Sequence, residues 1–182
     1  ANVLADDPQA TVQPDDPQIE LRPWQRVVLV SGAGLGKTAN LKWLCAQVNR
    51  HEQGRGRMLA IFAHLRDLPN NLEKMPDFVY DWLVMHLNQN DPARLRETAV
   101  RLLKQGRVLF LLDSLDEAGA WDNSPAVVGL RALLTGRWAQ NPVWISGRPY
   151  AFRATERFLC EMVPADHWTF VRIGPLNEPE AR

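Results

Sequence analysis

Along most of the chain, short apolar runs alternate with stretches in which apolar residues recur every three or four positions. RVVLVS (26–31), MLAIFAHL (58–65), RVLFLLD (107–113), PVWIS (142–146) and WTFVRI (168–173) read as strands. Several are apolar at consecutive positions, the pattern of parallel strands covered by helices on both faces. Residues 38–50 place Leu41, Leu44, Cys45 and Val48 at i, i+3, i+4 and i+7, on one helical face. Residues 77–88 and 92–104 also read as helical, and 125–139 follow Ser124-Pro125, a capping residue and a first-turn proline. Strand–helix alternation with right-handed crossovers predicts an α/β fold, a doubly wound three-layer sandwich around a mainly parallel five-stranded sheet. In such sheets a ligand sits beyond the carboxyl ends of the strands, so chemistry-bearing residues belong at that edge.

The first strand runs into SGAGLGKT, residues 31–38. Gly36, Lys37 and Thr38 match the end of the phosphate-loop pattern GxxxxGKS/T, while Ser31 stands at its first glycine. The residue types suit the chemistry. Backbone N–H groups must converge on phosphate oxygens, which needs tight turns with little side chain, here at Ser31, Gly32, Ala33, Gly34, Leu35 and Gly36. The helix that follows, through Ala39, brings its positive dipole end to the same place. Lys37 is then the cation for the β and γ phosphates, and the Thr38 hydroxyl is a Mg²⁺ ligand. The plain alternative is a glycine-rich turn of no special function; the GKT triplet between a strand and a helix argues against it.

A second apolar strand ends in Asp113 and continues as SLDEAG. A phosphate-loop Mg²⁺ needs a carboxylate from a nearby strand end, and Asp113 fills that Walker-B role. Asp116 and Glu117 follow it as candidates to orient or deprotonate an attacking water. Taken alone, DSLDE reads equally well as a solvated turn with helix-capping acids. Its place after an apolar strand, downstream of the GKT loop, favours the metal reading. NPVWISGRPY (141–150) supplies another buried strand. Inserted between the other two, it brings Ser146 and Arg148 beside the γ-phosphate, with Arg148 as a third catalytic candidate. The alternative for Arg148 is a surface arginine before a proline.

Composition removes several other functions. Lys plus Arg and Asp plus Glu each number 21, so net charge lends no support to a nucleic-acid partner. Two cysteines without a CxxC pair fit neither a Cys-rich zinc site nor a disulfide framework, and they suit a reducing, cytoplasmic setting. No apolar run approaches the roughly 20 residues of a membrane span. Trp43, Trp82, Trp138, Trp144 and Trp168 fall in the expected helices and strands and should pack helices onto the sheet. His64 ends the second strand and reads as an edge residue, and Arg66 and Asp67 after it could pair with each other. No NKxD segment is present for reading guanine, so ATP or ADP is the expected nucleotide. An AAA-like motor would need a trans-acting arginine; Arg131, Arg137 and Arg153 are available, and nothing in the sequence selects one.

Four segments together, VVLVSGAGLGKT, FAHLRDL, LFLLDSLDEA and WISGRPYAF, resemble the NACHT domains of the STAND class of P-loop NTPases. Ser114, small and directly after Asp113, followed by Asp116-Glu117, is the most specific piece. The resemblance implies the ASCE/AAA-like P-loop architecture, ATP/ADP and Mg²⁺ as cofactors, and slow hydrolysis. It also implies a switch that self-associates to control an attached effector, as in innate immunity, cell death or antiphage defence; the effector and sensor stay unknown. Arg148 matches the arginine of the family's TSRP-like segment. Ser31 and the SGRP sequence depart from the usual glycine and from TSRP. The expected organisation is a flexible Pro/Asp-rich lead-in over 1–22, a nucleotide-binding domain over 23–175, and the start of a truncated helical domain over 176–182.

Overall fold

The computed structural model describes residues 26–52, 58–86, 91–117, 124–149, 159 and 167–174. The lead-in at 1–22, the stretch at 176–182 and Arg153 lie outside them. Five strands form one sheet: β1 (Arg26–Val30), β2 (Leu59–His64), β3 (Val108–Asp113), β4 (Val143–Gly147) and β5 (Trp168–Arg172). Their order is β2-β3-β4-β1-β5, and every pairing is parallel. The strand at 143–147 therefore lies between the strands that carry Val30 and Asp113, as the sequence led one to expect.

Among the described residues, four helices lie between these strands: α1 (Lys37–Glu52), α2 (Met75–His86), α3 (Pro92–Lys104) and α4 (Pro125–Thr135). Because side chains alternate across a strand, the two faces of the sheet bury different sets. Val27, Leu29, Ala60, Leu109 and Leu111 meet Leu41 and Cys45 of α1. Val28, Ile61, Phe110, Leu112 and Ile145 meet Val79 of α2, Leu95 and Leu103 of α3, and Leu130 of α4. This is the three-layer arrangement that consecutive apolar residues require.

Helix starts follow local chemistry. Asp91 accepts the Arg94 N–H (3.1 Å) and Ser124 accepts the Val127 N–H (3.2 Å), each just ahead of a proline in the first turn. The fourth helix stops at Thr135, earlier than the 125–139 span expected: the chain turns extended at Gly136, where a Cβ would sit 2.4 Å from the Leu72 side chain. Gly129 lets α4 pass against the chain after β2: a Cβ there would sit 2.4 Å from the Pro69 carbonyl oxygen.

At the opposite edge from the strand tips, Asn141 is fully buried and ties three segments together. Its amide donates to the Leu103 (3.0 Å) and Trp138 (2.9 Å) carbonyls, and its side-chain oxygen accepts the Val108 N–H (3.0 Å). The Asn141 carbonyl in turn accepts from the buried Arg26 guanidinium at 2.6 Å. Burial lowers the Arg26 pKa to about 10. One tryptophan departs from expectation. Trp43 is 52% exposed on the outer side of α1, whereas Trp138 and Trp168 are buried. The apolar face of α1 is set by Leu41 and Cys45, and position 43 points away from it.

Candidate functional site

The carboxyl ends of β1, β3 and β4 bring the candidate residues together. After Val30 the chain turns through Ser31–Gly36 into α1. Gly34 (φ 75°) and Gly36 (φ 79°) take the left-handed conformation that side chains resist. Ser31 does not, so its side chain adds no backbone strain where a glycine is usual. It is buried, its N–H donates to the Gly147 carbonyl (3.3 Å), and its hydroxyl donates to the Gly32 carbonyl (3.2 Å). That bond to Gly147 joins the loop to the end of β4. Ala33, Gly34, Gly36 and Ala39 are exposed, and Gly32, Leu35, Lys37 and Thr38 are half-buried.

The Lys37 ammonium folds back over the loop, donating to the carbonyls of Ser31 (3.0 Å) and Gly32 (2.8 Å). It makes no ion pair among the described residues. Beside it, the Thr38 hydroxyl donates to Asp113 Oδ2 at 2.5 Å, and Ser146 donates to Asp113 Oδ1. Asp113 is 2% exposed and thus holds one hydroxyl from the loop and one from the intervening strand. The sequence had set Ser146 near this place without giving it a partner; the β3–β4 adjacency supplies one.

Directly after Asp113, Ser114 has φ 66°, the one positive φ of a non-glycine among the described residues. This turn carries the chain into a short 3-10 turn, Leu115–Glu117, in which the Glu117 N–H bonds to the Ser114 carbonyl (3.0 Å). Asp116 and Glu117 consequently point to different surroundings. Asp116, with its side chain 7% exposed, accepts the Arg148 backbone N–H at Oδ1 (3.2 Å) and forms an ion pair with the Arg148 guanidinium, Oδ2 to Nε 3.0 Å. Glu117 is 52% exposed and lies 3.9 Å from Arg66, which is equally distant from Asp67. The Arg66–Asp67 pairing suggested by sequence is therefore shared with Glu117, because His64 of β2 lies in register with Asp113 of β3. His64 is half-buried at that strand end, its ring edge-on to Phe62.

Two features lie elsewhere. Arg137, in the connection from α4 to the amino end of β4, pairs with Glu73 (2.9 Å) and stacks on Trp138, away from the strand tips. A groove of about 780 Å³, lined mainly by apolar atoms of α1, α2, α3 and β2 including Phe62, Trp82 and Met85, shares no residue with the 31–38 loop.

The donor set suits a magnesium–nucleotide pair. Thr38 and Asp113 offer hard oxygen ligands side by side, and no group of three or more His, Cys, Asp or Glu forms a protein-only metal cage among the described residues. Mg²⁺ is commonly held in this way, by one or two protein oxygens with phosphates and water completing the shell.

The family model for the NACHT domain matches residues 25–182. No curated protein sequence matches the chain. Among solved structures, the crystal structure of the DnaC helicase loader aligns with a TM-score of 0.45 at 12% identity, covering 87% of this chain and 81% of that one. No helix of the described residues is long and apolar enough to cross a membrane. With its phosphate loop, its aspartate-tipped third strand and a family match that spans nearly all of its residues, the chain belongs to the NACHT domain family and is a P-loop NTPase domain that binds nucleotide.

Proposed function

We propose that this domain is a Mg²⁺-dependent ATP/ADP switch that hydrolyses ATP slowly and, in a larger protein, couples the state of the γ-phosphate to self-association and signalling of the immune, defence or cell-death type. Residues 23–175 form the nucleotide-binding unit in this reading. The observation that carries it is the meeting of Thr38 and Asp113 at 2.5 Å beside the Lys37 ammonium. In this reading the loop cation, the metal-ligating hydroxyl and the Walker-B carboxylate serve one nucleotide at the carboxyl ends of β1 and β3. Bound Mg²⁺ would neutralise phosphate charge there, with Thr38 and Asp113 as its protein ligands.

The chain's own residues have separable tasks. Backbone N–H groups of Gly32–Thr38 and the start of α1 cradle the phosphates. Lys37 exchanges its carbonyl partners for phosphate oxygens, which bind an ammonium more strongly than neutral carbonyls do. Glu117, exposed and only loosely paired, is free to accept the proton of an attacking water. Arg148 leaves β4 between the loop and Asp113, where it can meet terminal phosphate oxygens.

The test is direct. Lys37→Ala is expected to abolish ATP and ADP binding by calorimetry; unchanged affinity would remove the assignment. Glu117→Gln should keep both affinities and slow turnover by about a hundredfold or more. Hydrolysis at the parent rate would place the base elsewhere. Mass spectrometry of nucleotide carried through purification distinguishes a switch, which retains ADP, from a fast-turnover motor, which releases it.

A further inference from the structure

The two acids after Asp113 are neighbours in sequence, yet their environments differ in every respect that matters for catalysis. Glu117 is half in solvent and nearly unpartnered. Asp116 is almost fully buried and has both carboxylate oxygens engaged by one residue, Arg148. The way Arg148 is held is informative. Oδ1 accepts its backbone N–H, and Oδ2 lies 3.0 Å from Nε in an ion pair. A guanidinium has five N–H donors, and with Nε at the carboxylate the two terminal NH₂ groups form a planar fork that has no partner among the described residues. Arg148 is 44% exposed and emerges one residue after Gly147, whose carbonyl accepts from Ser31 of the loop, and two residues after Ser146, which donates to Asp113.

We propose that Asp116 is a positioning residue: it fixes Arg148 by its backbone and Nε so that the free guanidinium fork presents to the terminal phosphate of a nucleoside triphosphate, and it thereby sets the preference of the site for triphosphate over diphosphate. This rests on the nucleotide-site reading above. An arginine with an exposed, unanchored side chain loses about two kinds of rotamer freedom on binding, at backbone-proximal and distal bonds; the buried carboxylate removes the first before the ligand arrives. The anchor is selective because only a triphosphate carries the oxygens that the fork can reach. Glu117 remains the acid available to water.

The experiment is calorimetric titration of the protein with Mg-ATPγS and Mg-ADP, for the parent, Asp116→Asn, Arg148→Ala, the double variant and Glu117→Gln, with a thermal melt of each. Asp116→Asn and Arg148→Ala are each expected to weaken ATPγS by about tenfold, the scale of one charge-assisted hydrogen bond, and to leave ADP within about twofold. The double variant should be no weaker than either single, because both act through the same guanidinium. Glu117→Gln should leave both affinities alone. Equal weakening of ATPγS and ADP in Asp116→Asn, unchanged ATPγS affinity, or multiplicative losses in the double variant would each overturn the proposal. If Asp116→Asn does not fold, Arg148→Lys decides: it keeps the charge without the Nε grip, and a retained triphosphate preference overturns the proposal. Lys37→Ala in the same series separates the two readings. Loss of both nucleotides there, with an unaltered triphosphate preference in Asp116→Asn, overturns the role of Asp116 alone; ADP bound as tightly as by the parent overturns both.

Discussion

Ser114 takes a left-handed backbone because Asp113 must end one strand while Asp116 and Glu117 turn back over the strand tips. A β-carbon in that conformation costs about 1–2 kcal/mol, and glycine would avoid it at the expense of unfolded-state entropy. Ser114→Gly is therefore expected to raise stability by up to about 1 kcal/mol in urea titration, while a β-branched residue there should lower it. Cys45 offers a second residue-scale test. It is buried beneath α1, its thiol is near the Ala60 carbonyl, and burial pushes its pKa up. Alkylation at pH 8, followed peptide by peptide, should be far slower at Cys45 in the folded protein than in guanidinium; equal rates would contradict that burial. Neither property could be read from sequence. A small residue at 114 was visible, but its φ depends on where the chain must go next. An apolar helical face at 45 was visible, but not the backbone edge of β2 that it covers.

At the level of elements, the strand and helix types follow from the period of apolar residues, and their ends follow from caps and glycines. Less legible were the contacts that lock elements to one another through polar atoms. Asn141 looks like a turn residue in NPVWIS, yet its amide holds the end of α3, the start of β3 and the Trp138 turn in one network. Asn141→Ala leaves a buried N–H and two carbonyls without those partners and is expected to cost about 2–4 kcal/mol. A melt unchanged within error would show the network to be dispensable. Trp43 illustrates the opposite case: an aromatic in a helix reads as core, but helical phase put it outside. One hydrophobic residue does not fix a face; four at the right spacing do.

For the whole molecule, function depends on residues 75 apart in sequence meeting at one edge, as Thr38 and Asp113 do. If Mg²⁺ and phosphate bind there, ATP with Mg²⁺ should raise the melting temperature in a concentration-dependent way, and EDTA should remove most of the shift. A shift insensitive to chelation would separate nucleotide binding from the Thr38–Asp113 pair. The loop itself was legible because its chemistry is local: strand, glycines, lysine, threonine and helix are consecutive. The separate surroundings of Asp116 and Glu117 were not, because adjacent residues in a tight turn diverge according to what the neighbouring strands present.

The amino-acid order alone thus determined an α/β sheet with a phosphate loop after its first strand and acids after another. Those signals are carried by period and by residues close in sequence. The tertiary structure decided which acid Arg148 grips, that Ser146 shares Asp113 with Thr38, and that Glu117 stays open to solvent. These are contacts across strand neighbours, and strand order is set by the packing of whole faces against helices rather than by any local run of residues.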